Sequence, residues 1–176
     1  MGQQAIIMEA ADLSEQFREL LERHRKIVFK IAASYSRDAH DRADLAQEIA
    51  AQLWRAFPGY DGKRAFSTWM YRIGLNVAIS FLRNNSQRER HAVPLDDQLH
   101  DAIDDSGIDP DADERVRALH RCIAQLDPLN RALLLLYLEE RSQREIAEIL
   151  GISETNVATK IGRLKQHIRN DMAEHA

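Results

Sequence analysis

Thr155, Asn156, Thr159, Lys160, Arg163 and Lys165 recur in the segment ETNVATKIGRLKQ between apolar residues at helical spacing. They are short polar and cationic types, the kinds that reach base edges and phosphate oxygens of duplex DNA. Their apolar complement, Ile146, Ala147, Leu150, Ile152, Val157, Ile161, Leu164 and Ile168, falls on the inner faces of two helices. Ser142 and Glu145 have capping-box spacing, Gly151 supplies a left-handed stop, and Ser153 stands where the second helix would be capped. Two helices joined so tightly are the layout of a helix-turn-helix that reads DNA. An αα-hairpin with a solvated charged face would share the spacing. The coincidence of both caps, the glycine stop and a basic outer face favours the DNA reader.

A second set lies upstream. Between Lys63 and Arg90 six cations accompany one acid, Glu89, and Lys63, Arg64, Arg72 and Arg83 are interleaved with Phe66, Trp69 and Tyr71. Phosphates need charge and unstacked bases need flat partners, so this mixture suits single-stranded nucleic acid. The plainer alternative makes Phe66 and Trp69 core and the arginines solvated; Trp69 is core on either reading. A third set, Asp41, Asp44, Gln47, Glu48 and Gln52, recurs at three- and four-residue steps beside an apolar stripe and gives a helix an acidic, hydrogen-bonding face. Acids near a helix start are favoured by the macrodipole in any case.

No pattern supports catalysis or a resident metal or cofactor. There is no HExxH, no paired CxxC, no Walker loop and no nucleophile elbow. His120 and Cys122 stand two apart on an expected helix and would point in different directions. Cys122 is the single cysteine, which excludes an internal disulfide and fits a reducing cytoplasm. The longest apolar run, Ala132 to Leu138, is far short of a bilayer span, and the N-terminus has neither a signal-peptide pattern nor the residue needed for myristoylation. The expectation is a cytoplasmic, non-enzymatic protein without membrane insertion.

The elements that must position these sets are all helical. Leu13, Phe17, Leu20, Leu21, Ile27, Val28, Ile31 and Tyr35 mark a first helix, and Leu45, Ile49, Leu53, Trp54 and Phe57 mark a second. Pro58, Gly59 and Gly62 break the chain before a third helix, which starts near Ser67 and is expected to bury Trp69, Ile73, Val77 and Phe81. Val116, Leu119, Ile123 and Leu126 predict a fourth helix, and Asp127 with Pro128 caps and starts a fifth. Between Pro94 and Glu114 nine acids occur with no Lys or Arg, so the net charge of −4 leaves +5 for the remainder. With Pro94, Gly107 and Pro110 and no helical period, this stretch predicts an extended linker. It is either a solvated spacer or a mimic of nucleic acid that lies in a partner's basic channel. The predicted fold class is all-α: a helical domain over 1–90, an acidic flexible linker over 91–114, and a helix-turn-helix domain over 115–176.

The segments DLAQEIAAQLW, AFSTWMYRIGLNVAISFLRN and REIAEILGISETNVATKIGRLK resemble, in this order and spacing, bacterial RNA polymerase sigma factors of the extracytoplasmic-function type in the sigma-70 family. The resemblance covers roughly residues 15 to 170. It implies binding to core RNA polymerase, melting of the promoter −10 element and reading of the −35 element, with a cognate anti-sigma factor as a further partner it allows. By position, Asp44, Leu45, Gln47 and Glu48 match the segment that docks on polymerase. Gly59 to Arg64, with Tyr60, Lys63 and Arg64, matches the loop that holds a flipped −10 base; Thr68, Trp69, Arg72, Asn76 and Arg83 match the strand-opening helix. Thr155, Asn156, Thr159, Lys160, Arg163 and Lys165 fall to the −35 reader.

The chain departs from the family at Leu75, where Arg is usual, and at Ser80, where an acid is usual. Thr155-Asn156 stands in place of Gly-Thr, and Gly162 sits inside the recognition helix at a cost of about 1 kcal/mol relative to Ala. Two other functions fit parts of the pattern: a helix-turn-helix regulator that acts without polymerase, and a decoy that titrates an anti-sigma factor. The polar face of Asp44, Gln47 and Glu48 argues against the first, and Arg72, Arg83, Lys160, Arg163 and Lys165 argue against the second.

Overall fold

The computed structural model describes residues 2–36, 38–91, 119 and 121–174. Residues 92–114 of the expected acidic linker, together with Val116 and His120, lie outside them, and His91 is helical. The described residues are helical apart from short turns, and they divide into two compact units, Met1–Arg83 and Asn84–Ala176. The division falls within a helix that runs on to His91.

In the first unit, α1 (Gly2–Tyr35) and α2 (Ala39–Ala56) pack together. Helix α1 buries Phe17, Ile27, Val28, Ile31, Ala32 and Tyr35. Helix α2 starts at Asp38, whose carboxylate accepts the Asp41 backbone N–H at 2.8 Å, and buries Leu45, Ile49 and Leu53 one turn apart. A single 3-10 turn, Phe57–Gly59, ends α2 at Pro58, where the missing N–H stops the ladder. Helix α3 (Phe66–His91) then crosses both partners at Gly74. A Cβ there would lie 2.7 Å from Ile31 Cδ1 and 3.4 Å from Ile49 Cγ2, so the bare backbone sets how closely the three helices approach.

The apolar stripe of α3 differs from the sequence expectation. Phe66, Met70, Tyr71, Leu75 and Ala78 are buried, whereas Trp69, Ile73, Val77 and Phe81 are half-buried at its edge. Both sets have helical period, and only the position of α1 and α2 decides which one faces inward. Trp54 likewise sits at the surface, 41% exposed, with its ring 5.2 Å from that of Phe17.

In the second unit, residues 121–125 are helical and precede α4 (Pro128–Leu138), α5 (Gln143–Leu150) and α6 (Glu154–Glu174). Asp127 caps α4 by accepting the N–H groups of Leu129 and Asn130, with Pro128 in the first turn. The Arg131 guanidinium donates to the carbonyls of Ala124 and Leu126 at 2.8 and 3.2 Å and so ties the preceding helical stretch to α4. The core joins Cys122, Leu126, Ala132, Leu133, Leu136, Ile146, Ala147, Ile149, Val157, Ile161 and Leu164. No helix among the described residues is long and apolar enough to cross a membrane.

Candidate nucleic-acid interface

The helix-turn-helix forms through the local signals its sequence carries. The Ser142 backbone N–H donates to Glu145 Oε2 at 3.0 Å, and the Glu145 N–H donates back to Ser142 Oγ at 3.2 Å, which completes the capping box of α5. These bonds, the backbone N–H first and the Ser142 hydroxyl next, hold the Glu145 carboxyl below its ordinary range, and Arg141 contributes less. Gly151 ends α5 at φ 69°, and Ile152 N–H closes the turn on the Ala147 carbonyl at 3.1 Å. Ser153 Oγ then accepts the Asn156 N–H at 3.2 Å and starts α6.

On α6, Val157, Ile161 and Leu164 are buried, which turns Thr155, Asn156, Thr159 and Arg163 to solvent on one face. Gly162 also lies on the outside, and a Cβ there would meet nothing within 4 Å. Lys160 is half-buried at the edge of this face. Lys165 departs from the expected set: its Nζ lies 4.4 Å above the Tyr137 ring of α4, a cation–π contact on the other flank of the helix. Nothing in linear spacing ties Tyr137 to Lys165, so periodicity alone does not reveal the pair.

The first unit carries the other two sets. The turn after the 3-10 helix is fixed by Gly62 at φ 70° and by two bonds: Tyr60 Oη donates to the Arg64 carbonyl at 2.7 Å, and Lys63 N–H donates to Asp61 Oδ1 at 3.1 Å. Lys63 and Arg64 are exposed on it. Beneath the turn Tyr60, Phe66 and Trp69 form an aromatic cluster; the Phe66 and Trp69 rings stack at 5.2 Å, and Tyr60 stands 5.2 Å from Trp69. Tyr60 and Trp69 are half-buried, so part of each ring faces solvent. Arg72, Asn76 and Arg83 follow on the solvent face of α3.

Burial sets two residues apart from the rest of the expected contact sets. Thr68 is 5% exposed and shares a buried row with Leu75, at 1%. Thr68 therefore supports α3 from within, and the apolar residue at 75 belongs to the core. Leu45 is 0% exposed, so of the segment on α2 only Asp44, Gln47 and Glu48 reach solvent. Their neighbours include His40, 3.6 Å from Asp44, and Arg55, 3.7 Å from Glu48. The seven-residue step from Glu48 to Arg55 places both on the same face.

Comparison with known proteins finds two family regions, one after the other along the chain. Residues 20–88 match the family described as Sigma-70 region 2, and residues 116–168 match Sigma-70, region 4. The chain is 29% identical over 160 residues to the ECF RNA polymerase sigma factor SigE of Mycolicibacterium smegmatis, covering 90% of this chain and 62% of that protein. It is 29% identical to SigG of Mycobacterium tuberculosis, of which it covers 41%, and 24% identical to SigW of Bacillus subtilis, of which it covers 90%. The chain thus spans less than two thirds of the first two relatives. In fold it is similar to CnrH, solved with the cytosolic domain of CnrY, at a TM-score of 0.64, 22% identity and 97% coverage of each chain. RpoE of Bartonella quintana, solved with the anti-sigma factor NepR, also gives 0.64, at 16% identity and covering 92% of this chain and 97% of that one.

Proposed function

We propose that this chain, which belongs to the sigma-70 family and within it to the extracytoplasmic-function sigma factors, binds core RNA polymerase and directs it to promoters by reading −35 DNA and melting the −10 element. The observation that carries the reading is the presence of both family regions on one chain; the exposure of Asp44, Gln47, Glu48, Arg72, Asn76, Thr155, Asn156, Thr159 and Arg163 supports it. Thr155, Asn156, Thr159 and Arg163, with Lys160 at their edge, are the −35 contacts. Small polar groups there can enter the major groove, and the guanidinium can grip phosphate or the paired acceptors of guanine.

The −10 element is handled by the turn that carries Lys63 and Arg64, by the partly open rings of Tyr60 and Trp69, and by Arg72, Asn76 and Arg83. A base leaving the duplex exchanges stacking on its neighbours for stacking on an aromatic ring, while the cations hold its phosphates. Opening is thereby driven by binding energy, without bond chemistry by this chain. Asp44, Gln47 and Glu48 form the polar docking face for polymerase. The protein works where its polymerase does, in the cytoplasm, and an anti-sigma factor is a natural partner, as it is for RpoE in the structure with NepR.

The test is transcription by purified core polymerase on a library of genomic fragments, with and without the chain. New, reproducible start sites that require the chain are expected, with a shared upstream motif. A chain that binds duplex DNA and directs no starts would be a regulator acting without polymerase. One that binds neither polymerase nor DNA but captures an anti-sigma factor would be a decoy.

A further inference from the structure

Cys122 belongs to the helical stretch 121–125, and His167 and Asp171 lie one turn apart on the C-terminal half of α6. The fold brings them together: the Cys122 Sγ, a His167 ring nitrogen and an Asp171 carboxylate oxygen all lie within 4.8 Å of one another. Cys122 is 3% exposed, Asp171 is half-buried and His167 opens to solvent. Burial first, then the hydrogen bond to Asp171 and its charge, push the Cys122 thiol up to about 11.

A thiol that merely donated to a carboxylate would need one residue on α6. The i,i+4 step places a second donor of different chemistry over the same patch, and the third comes from another helix. Sulfur, imidazole nitrogen and one carboxylate oxygen form a set suited to zinc; calcium and magnesium take oxygen almost alone. Tetrahedral zinc, with bonds of about 2.0–2.3 Å, holds its ligands roughly 3.3–3.8 Å apart. The cluster reaches that spacing by a contraction of about one ångström, and the exposed His167 ring is free to supply most of it by rotation.

We propose that Cys122, His167 and Asp171 form a Zn2+ site that clamps the helical stretch 121–125 to α6, with water in the fourth position. On loading, the S–H bond breaks, its proton leaves to solvent, and the thiolate electron pair forms the S–Zn bond. Because the metal binds only where both helices are in place, occupancy stabilises the second unit. The site is independent of the proposed role in transcription.

The experiment titrates the full chain with Co2+ as the probe. A sulfur-to-cobalt charge-transfer band is expected, followed by its loss on adding Zn2+ and a rise in thermal midpoint with Zn2+. Cys122→Ser should abolish the band and the midpoint shift. His167→Gln, at an exposed position that the fold tolerates, should weaken Zn2+ binding by about tenfold or more, read by competition with a chromophoric chelator. Absence of the band in the folded wild-type chain overturns the site, as does a Zn2+ affinity that His167→Gln leaves unchanged.

Discussion

At the residue scale, side chains of one charge on one helix have different fates. Arg163 projects from the same face as Thr155, Asn156 and Thr159, while Lys165 rests over Tyr137. Arg163→Ala should therefore weaken binding to −35 duplex by about 1–3 kcal/mol if it grips a base, with preference relaxed at one position. Lys165→Ala should change that affinity much less and lower the stability of the second unit slightly, through the lost cation–π contact. Fluorescence titration of both variants against a panel of −35 sequences checks this; a Lys165→Ala defect as large and as sequence-selective as that of Arg163→Ala would refute the assignment of faces. Glu145 adds a pH dependence. Its carboxyl titrates lower in the folded chain than in the unfolded one, so its contribution is present above the ordinary glutamate value and is lost as pH falls through the lower folded value. Since Glu145 is 38% exposed the effect is small. Glu145→Gln should flatten the acid limb of a stability-against-pH curve and leave its neutral plateau shaped as before.

At the scale of elements, α4 and α5 end in the same way with different residues. Arg141 N–H reaches the Leu136 carbonyl at 3.1 Å as Ile152 N–H reaches that of Ala147, which is the bond pattern of a Schellman stop. Gly151 occupies the left-handed position after α5, whereas Glu140 occupies it after α4 at φ 55°. A side chain held there is strained by about 1 kcal/mol, and glycine relieves the strain at some cost in unfolded-state entropy. Glu140→Gly should raise the unfolding free energy by about 0.5–1 kcal/mol, measured by urea denaturation. Gly151→Ala, the reverse change at the equivalent position, should lower it by a similar amount. Opposite signs are the expected outcome; equal signs would show that the two stops are not equivalent.

At the scale of the molecule, the proposed roles fall to different units. If the turn with Lys63 and Arg64 and the face with Trp69 and Arg72 hold separated strands, the holoenzyme should bind a promoter with a pre-melted −10 segment more tightly than the duplex. Arg72→Ala should slow opening of duplex promoter and be partly rescued on the pre-melted one, since the cost of unstacking has then been removed. Opening is followed by fluorescence of a base analogue in the −10 segment. Equal defects on both templates would count against a role in melting and leave Arg72 a general phosphate contact.

The helices, the caps of α5 and α6, the break at Pro58 and Gly59 and the order of the two family regions were legible in the sequence, because each depends on residues within a few positions of one another. The turn at Gly151 forms from bonds that its immediate neighbours supply. Which of two overlapping apolar stripes of α3 turns inward is not local. Met70, Tyr71 and Leu75 are buried, and Trp69 and Val77 are left at the edge, because α1 and α2 approach at Gly74. Thr68 and Leu45, expected at contact surfaces, are buried in the same unit. Tyr137 under Lys165, and Cys122 beside His167 and Asp171, join residues far apart in the chain, and such pairs are fixed only when helices pack. Periodicity states that a helix has an inner face; the partners that cover it decide which residues that face contains.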